Sequence, residues 1–229
     1  MDIIPAIMPE SLEDMRQKMA HVIDLVPVVQ LDLMDGVFVS GRTFPFFRED
    51  ALDMEHILNQ DEALPYWESL EVELDLMVKN AHLDFDMFMA LGPKRIVFHI
   101  EAEGDIAEFK EFLEGMDMYT RENVEIGIAA NNDTPLETIF PLIPLVSFVQ
   151  CMGIARIGYQ GEAFDDRVLG RIEALREKFP ELIISVDGSV NANTIESLKN
   201  AGADRFVVGS AIFEDGDAET SIEELQSMI

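Results

Sequence analysis

Eight short apolar runs recur along the 229-residue chain, each followed by an amphipathic stretch, and this alternation limits the fold more than any other feature. The strand candidates are 3–8, 28–33, 71–77, 95–100, 124–129, 146–152, 182–187 and 205–209. Helix-like segments fall at 10–23, within 47–60, and at 80–91, 103–117, 134–142, 165–178, 193–201 and 218–227. The strand runs are apolar on both faces, as parallel strands covered by helices are. Cap signals mark several helix starts: Ser11 with Asp14, Asn193 before "TIESL", and Pro135 in a first turn. Gly202 stands where a helix ending in "NA" should stop. Eight βα units in a chain of this length predict a single-domain (β/α)8 TIM barrel over 1–229. The stretch 50–70, between the second and third strands, is long for one connection and predicts a helix plus an extended excursion carrying the sole tryptophan, Trp67. A doubly wound open sheet is the alternative, but the first strand is followed by Met8, Pro9 and Glu10 and not by a GxGxxG turn.

Three of the apolar runs carry an acid where charge is costly. "VVQLDLMDGVF" (28–38) places Asp32 among Val and Leu, "LEVELDLMV" (70–78) does the same with Asp75, and "ELIISVDGSV" (181–190) ends on Asp187 and Gly188. A buried carboxylate must be paired or put to use. In a barrel of this kind the active site lies at the C-terminal ends of the strands. Asp32, Asp75 and Asp187 all fall near such ends, so the fold brings them together from distant parts of the chain. Singly, each reads equally well as a turn or cap residue.

The charge balance narrows the partners. Acidic residues number 45 against 16 basic, a net −29, which speaks against nucleic acid. An anionic ligand would need local dipoles, a metal or a placed Arg. No apolar run is long enough to span a bilayer, and the N-terminus lacks the basic start of a signal peptide; a cytoplasmic, membrane-free protein is expected. The one cysteine, Cys151, lies in "VSFVQCMGI" and reads as a buried small hydrophobe rather than a nucleophile.

The pieces "PAIMPESLEDM", "LDLMDGVFV", "LDLMV", "FHIEA", "IGIAANNDTPLE", "GYQGEAF", "VDGSVNANTI" and "AGADRFVVGSAIF" occur in an order and spacing that resemble the ribulose-phosphate 3-epimerase family over nearly the whole chain. The resemblance implies interconversion of D-ribulose 5-phosphate and D-xylulose 5-phosphate by inversion at C3, or the same reaction on a related phosphorylated ketose. It maps the two proton-transferring carboxylates onto Asp32 and Asp187 and the methionines that surround the enediolate onto Met34, Met77 and Met152. It also implies one divalent metal. The positions aligned with the family's two histidine and two aspartate ligands read Gln30, Asp32, Asp75 and Asp187, so both histidines are gone, and His99 matches a different position. An all-oxygen set favours Mg2+ or Mn2+ over Zn2+, and a site that works without metal, with other dipoles carrying the enediolate charge, is the alternative. Ala6 stands where the family has a substrate-binding Ser.

Phosphate in such barrels sits on backbone N–H groups after the last strands. Gly158 and Gly161, Gly188 with Ser189, and Gly209 with Ser210 supply the expected turns. Arg156, in a loop one residue longer than the family's, is a candidate phosphate clamp, against the plainer reading of a surface ion pair. Two other readings stay open. A lyase or decarboxylase of the same superfamily typically carries DxKxxD at the third strand, where this chain has "ELDLMVKNAHLD" with Lys79 beyond the strand. A non-catalytic sugar-phosphate-binding barrel is the other. The resemblance further implies a homo-oligomer.

Overall fold

A computed structural model describes residues 1–213 and 217–229. Eight parallel strands close into a barrel in chain order: β1 (Asp2–Ile7), β2 (Val28–Met34), β3 (Glu71–Met77), β4 (Arg95–His99), β5 (Glu125–Ala130), β6 (Phe148–Met152), β7 (Ile183–Asp187) and β8 (Arg205–Val208). Helices surround it: α1 (Leu12–Ala20), α2 (Ala51–Leu58), α3 (Phe85–Met89), α4 (Ile106–Gly115), α5 (Met118–Asn123), α6 (Leu136–Ile139), α7 (Arg167–Lys178), α8 (Ile195–Ala201), α9 (Ser210–Phe213) and α10 (Ala218–Met228). No helix among the described residues is long and apolar enough to cross a membrane.

Each strand separates two environments because successive side chains point to opposite faces. Leu31, Leu33, Leu74, Leu76, Phe98, Ile128, Val149, Val186 and Phe206 join the helices in one large core. Leu12, Met15 and Met19 of α1, Ile172 and Leu175 of α7, and Ile222 and Leu225 of α10 complete that layer. Cys151 belongs to it, and burial pushes its thiol up to about 12, so it is a packing residue.

The alternate positions face the lumen and explain the acids in apolar runs. β2 and β3 pair Gln30 with Glu73, Asp32 with Asp75, and Met34 with Met77 in register. Lower in the lumen, Arg95 lies 3.6 Å from both Glu73 and Glu125, and Arg205 bonds Glu125 at 2.7 Å with its guanidinium over the Phe148 ring. These charges close the N-terminal end of the lumen. Burial pushes the Glu73 carboxyl up to about 7 even though Arg95 and Arg205 pull it down.

The expected helices are present but several are shorter. Segment 80–91 splits into a 3-10 turn, Ala81–Asp84, and α3, and the break falls at Asp84, whose backbone is not helical (φ −109°, ψ 25°). Segment 103–117 stops at Gly115, and Asp117 caps a separate helix, α5, by accepting from Thr120 N–H. Segment 134–142 contracts to α6 ahead of Pro141 and Pro144. Ser11 caps α1 by accepting from Asp14 N–H, while the Asp14 carboxylate takes the Glu10 N–H. The excursion after α2 leads into the start of β3, at the barrel end away from the strand C-termini, with Leu64 and Leu70 buried and Trp67 exposed.

Candidate active site

A narrow cavity of about 40 Å³ opens at the C-terminal ends of the strands. Asp32 reaches it from β2 and Asp187 from the last position of β7. Asp75, the register partner of Asp32, stands fully buried beside them, and one oxygen of each of the three carboxylates lies within 4.8 Å of the others. Asp187 is fixed at the backbone, where its carbonyl accepts from Gly153 N–H at 2.7 Å. A Cβ on Gly153 would stand 2.1 Å from the Gly188 carbonyl oxygen, so this close crossing needs glycine.

Crowding three acids in a dry site changes their titration. Burial, then the charges of Asp187 and Asp75, hold the Asp32 carboxyl well above its usual range. Burial and then Asp75 push Asp187 up to about 7, partly offset by the Gln30 hydrogen bond and by His99. Both shifts favour a shared proton on the Asp32–Asp187 pair over two ionised acids, as for two carboxylates sharing a site.

Gln30 and His99 support these acids. The Gln30 amide nitrogen donates to Asp32 Oδ1 at 2.8 Å and to Asp187 Oδ2 at 3.3 Å, while its Oε1 is buried without a partner among the described residues. In this structure Gln30 thus presents a donor to the carboxylates, at the position the resemblance gives to a metal ligand. His99, on β4, places Nε2 2.9 Å from Asp75 Oδ1 with both side chains buried. The lost histidine of β3 is thus answered by an imidazole from the next strand that contacts the acid. Sequence reading set His99 aside because its strand position did not match a ligand; its inward alternation with Val97 and Arg95 was the available signal.

Of the three methionines, Met77 and Met152 line the cavity with Ala6. Met34 is displaced from the lining and packs with Met77 and Val39 under the loop that follows β2. That loop and the one after β6 meet at the mouth. Ser40 Oγ and Tyr159 OH are 2.5 Å apart, and a Cβ on Gly158 would stand 2.9 Å from Val39.

The expected glycine turns form another part of the cavity wall. Gly158, Gly161, Gly188, Ser189, Gly209 and Ser210 all line it. Ser189 takes a left-handed conformation (φ 53°) directly after Gly188 (φ 98°), which turns the chain sharply. Gln160 also lines this part of the wall, and a Cβ on Gly209 would meet its amide at 2.8 Å. Arg156 does not line the cavity. Its exposed guanidinium grips Glu162, with Nε–Oε2 at 3.2 Å and Nη2–Oε1 at 2.5 Å, and lies over the Tyr159 ring. Arg156 thus makes a surface ion pair, the plainer of its two readings, and Glu162 is the member that lines the cavity.

The donor chemistry fits a hard divalent cation. Asp32, Asp75 and Asp187 offer convergent carboxylate oxygens, and Asp75 Oδ2 is buried with no partner among the described residues. Oxygen-only ligation of this kind suits Mg2+ or Mn2+.

A profile described as the ribulose-phosphate 3 epimerase family matches residues 2–213. The ribulose-phosphate 3-epimerase of Helicobacter pylori (strain J99) is 28% identical over 233 residues, covering 100% of this chain and 98% of its own. That of Escherichia coli K12 is 27% identical over 205 residues, with 87% and 83% covered. Among solved structures, a 3-hexulose-6-phosphate synthase superposes with a TM-score of 0.69 at 20% identity over 100% of both chains. A 3-keto-L-gulonate-6-phosphate decarboxylase from Vibrio cholerae superposes at 0.67 with 16% identity, over 99% of this chain and 96% of that one. At those identities the superpositions speak for the barrel alone.

Proposed function

The chain belongs to the ribulose-phosphate 3-epimerase family, and on that premise we propose that it inverts C3 of a phosphorylated ketose, D-ribulose 5-phosphate or a close relative, through Asp32 and Asp187. The observation that supports this reading is that these two carboxylates, from β2 and β7, line one cavity together with the glycine turns after β6, β7 and β8. C3 of such a sugar is acidic because it lies next to a ketone. One carboxylate removes its proton from one face, and the other, still protonated, returns a proton to the opposite face. The reaction needs one ionised and one neutral acid, the state that burial and mutual repulsion favour here.

The remaining residues bind and exclude water. Gly188, Ser189, Gly209 and Ser210 line the cavity, and in this reading their backbone N–H groups take the phosphate, which matters in a chain of net charge −29. Met77 and Met152 present polarisable, water-excluding surface beside the acids. Ala6 offers no hydroxyl to the sugar, which weakens binding by on the order of 1 kcal/mol. A divalent cation held by Asp32, Asp75 and Asp187 supplies, when bound, positive charge for the oxygens of an enediolate.

Incubation with ribulose 5-phosphate in deuterated water tests the reading. Deuterium entering C3 together with formation of xylulose 5-phosphate supports it. Release of a one-carbon fragment would assign the chain to lyase chemistry instead, and neither event would leave a binder. Lys79 lies past the end of β3, with its backbone N–H on Asp35, which disfavours the lyase alternative.

A further inference from the structure

Gln30 is fully buried, and its hydrogen bonds link two strands that are not neighbours. β1 and β8 separate β2 from β7 in the barrel, so the side chain bridges across the lumen. On those intervening strands the inward residues nearest the strand C-termini are Ala6 and Val207, and Ala6 is the register partner of Gln30. Neither carries a polar side chain to compete for the bridge. An amide nitrogen has two N–H bonds about 120° apart, which suits it to hold two acceptors at once. A residue present only for packing would be Leu or Met, which fill similar volume without burying the unpartnered Oε1. The donor end of the side chain accounts for the residue type.

We infer that Gln30 is a positioning residue for both proton-transferring carboxylates: its amide anchors Asp32 Oδ1 and Asp187 Oδ2 and leaves the second oxygen of each acid to address the substrate carbon. This inference rests on the two-aspartate reading above. It differs from a ligand role, because here Gln30 donates to the two acids directly. One side chain then sets the separation and the facing of both groups.

Gln30→Met removes the donors at similar volume, and Gln30→Asn keeps an amide one methylene short of spanning both acids. With ribulose 5-phosphate as substrate, each variant is expected to lose roughly 10- to 100-fold in kcat, the range a small misplacement of reacting groups produces. KM is expected to stay within about twofold of wild type, since the interaction lost is one needed at the transition state. The Gln30 side-chain amide protons, followed in a 15N correlation spectrum, are expected to be protected from exchange and to shift in Asp187→Asn. A folded Gln30→Met protein with wild-type kcat, or amide protons indifferent to Asp187→Asn, would overturn the bridge. A wild-type chain that placed no deuterium at C3 would overturn the two-aspartate reading and this role with it, while the amide spectrum still reported whether the bridge exists.

Discussion

His99 Nε2 and Asp75 Oδ1 stand 2.9 Å apart with neither side chain exposed. Burial works to lower the imidazole pKa, but the Asp75 carboxylate, its hydrogen bond, and the charges of Glu101 and Asp187 reverse that and raise it. His99→Leu strands a buried carboxylate and is expected to cost about 3–5 kcal/mol in urea unfolding. His99→Gln keeps a donor but cannot titrate. Because the folded value is raised, the advantage of wild type over His99→Gln is full below about pH 6.5 and is lost as pH climbs through the raised value. A difference that grew with pH would refute the pairing.

Asp187 gives the opposite kind of handle. Burial first and Asp75 second raise it to about 7, so the native chain holds a proton that the unfolded chain releases near pH 4. Stability of chelator-treated protein is therefore expected to fall as pH rises from about 4 to about 7. Asp187→Asn should flatten that slope and leave the variant about 1–3 kcal/mol more stable than wild type at alkaline pH. Asp187 keeps partial access to the cavity, which favours the lower part of the range. Denaturant melts across pH decide the matter.

The three-carboxylate cluster predicts cation binding that titration calorimetry can read. Asp75→Asn is expected to weaken Mn2+ binding at least about 10-fold. Affinity should tighten as pH rises past about 7, with proton release, because the Asp32–Asp187 pair must give up its proton to ligate. Absence of binding at millimolar Mg2+ or Mn2+ would remove the metal from the mechanism.

Arg156 and Glu162 make a prediction about substrate affinity. Arg156 shields a carboxylate that faces the glycine turns, so Arg156→Ala is expected to raise KM for a phosphorylated sugar by a few fold, roughly the effect of one partly screened charge. Adding Glu162→Gln should restore KM. If Arg156 instead touched phosphate, the double variant would stay impaired.

The strands were legible because their outward faces are apolar whatever the lumen holds. β3 falls at 71–77 as expected, and the other strands shift by no more than a residue or two at an end. The helices were read too long where a local stop was missed, as at Asp117, whose carboxylate starts a new helix. At the site, strand position sufficed to bring Asp32, Asp75 and Asp187 together. What strand position does not encode is the direction of a side chain that has a choice of partners. Gln30 turned its nitrogen to the acids, Arg156 found Glu162 instead of the cavity, and His99 reached Asp75 from the neighbouring strand.

Trp67 is 65% exposed and lies on the connection into β3, at the barrel end remote from the carboxylates. Its indole is already wet in the native chain, so emission excited through it will change little on unfolding and less on ligand capture. Optical assays of this protein need a reporter introduced at the mouth, where Tyr159 meets Ser40.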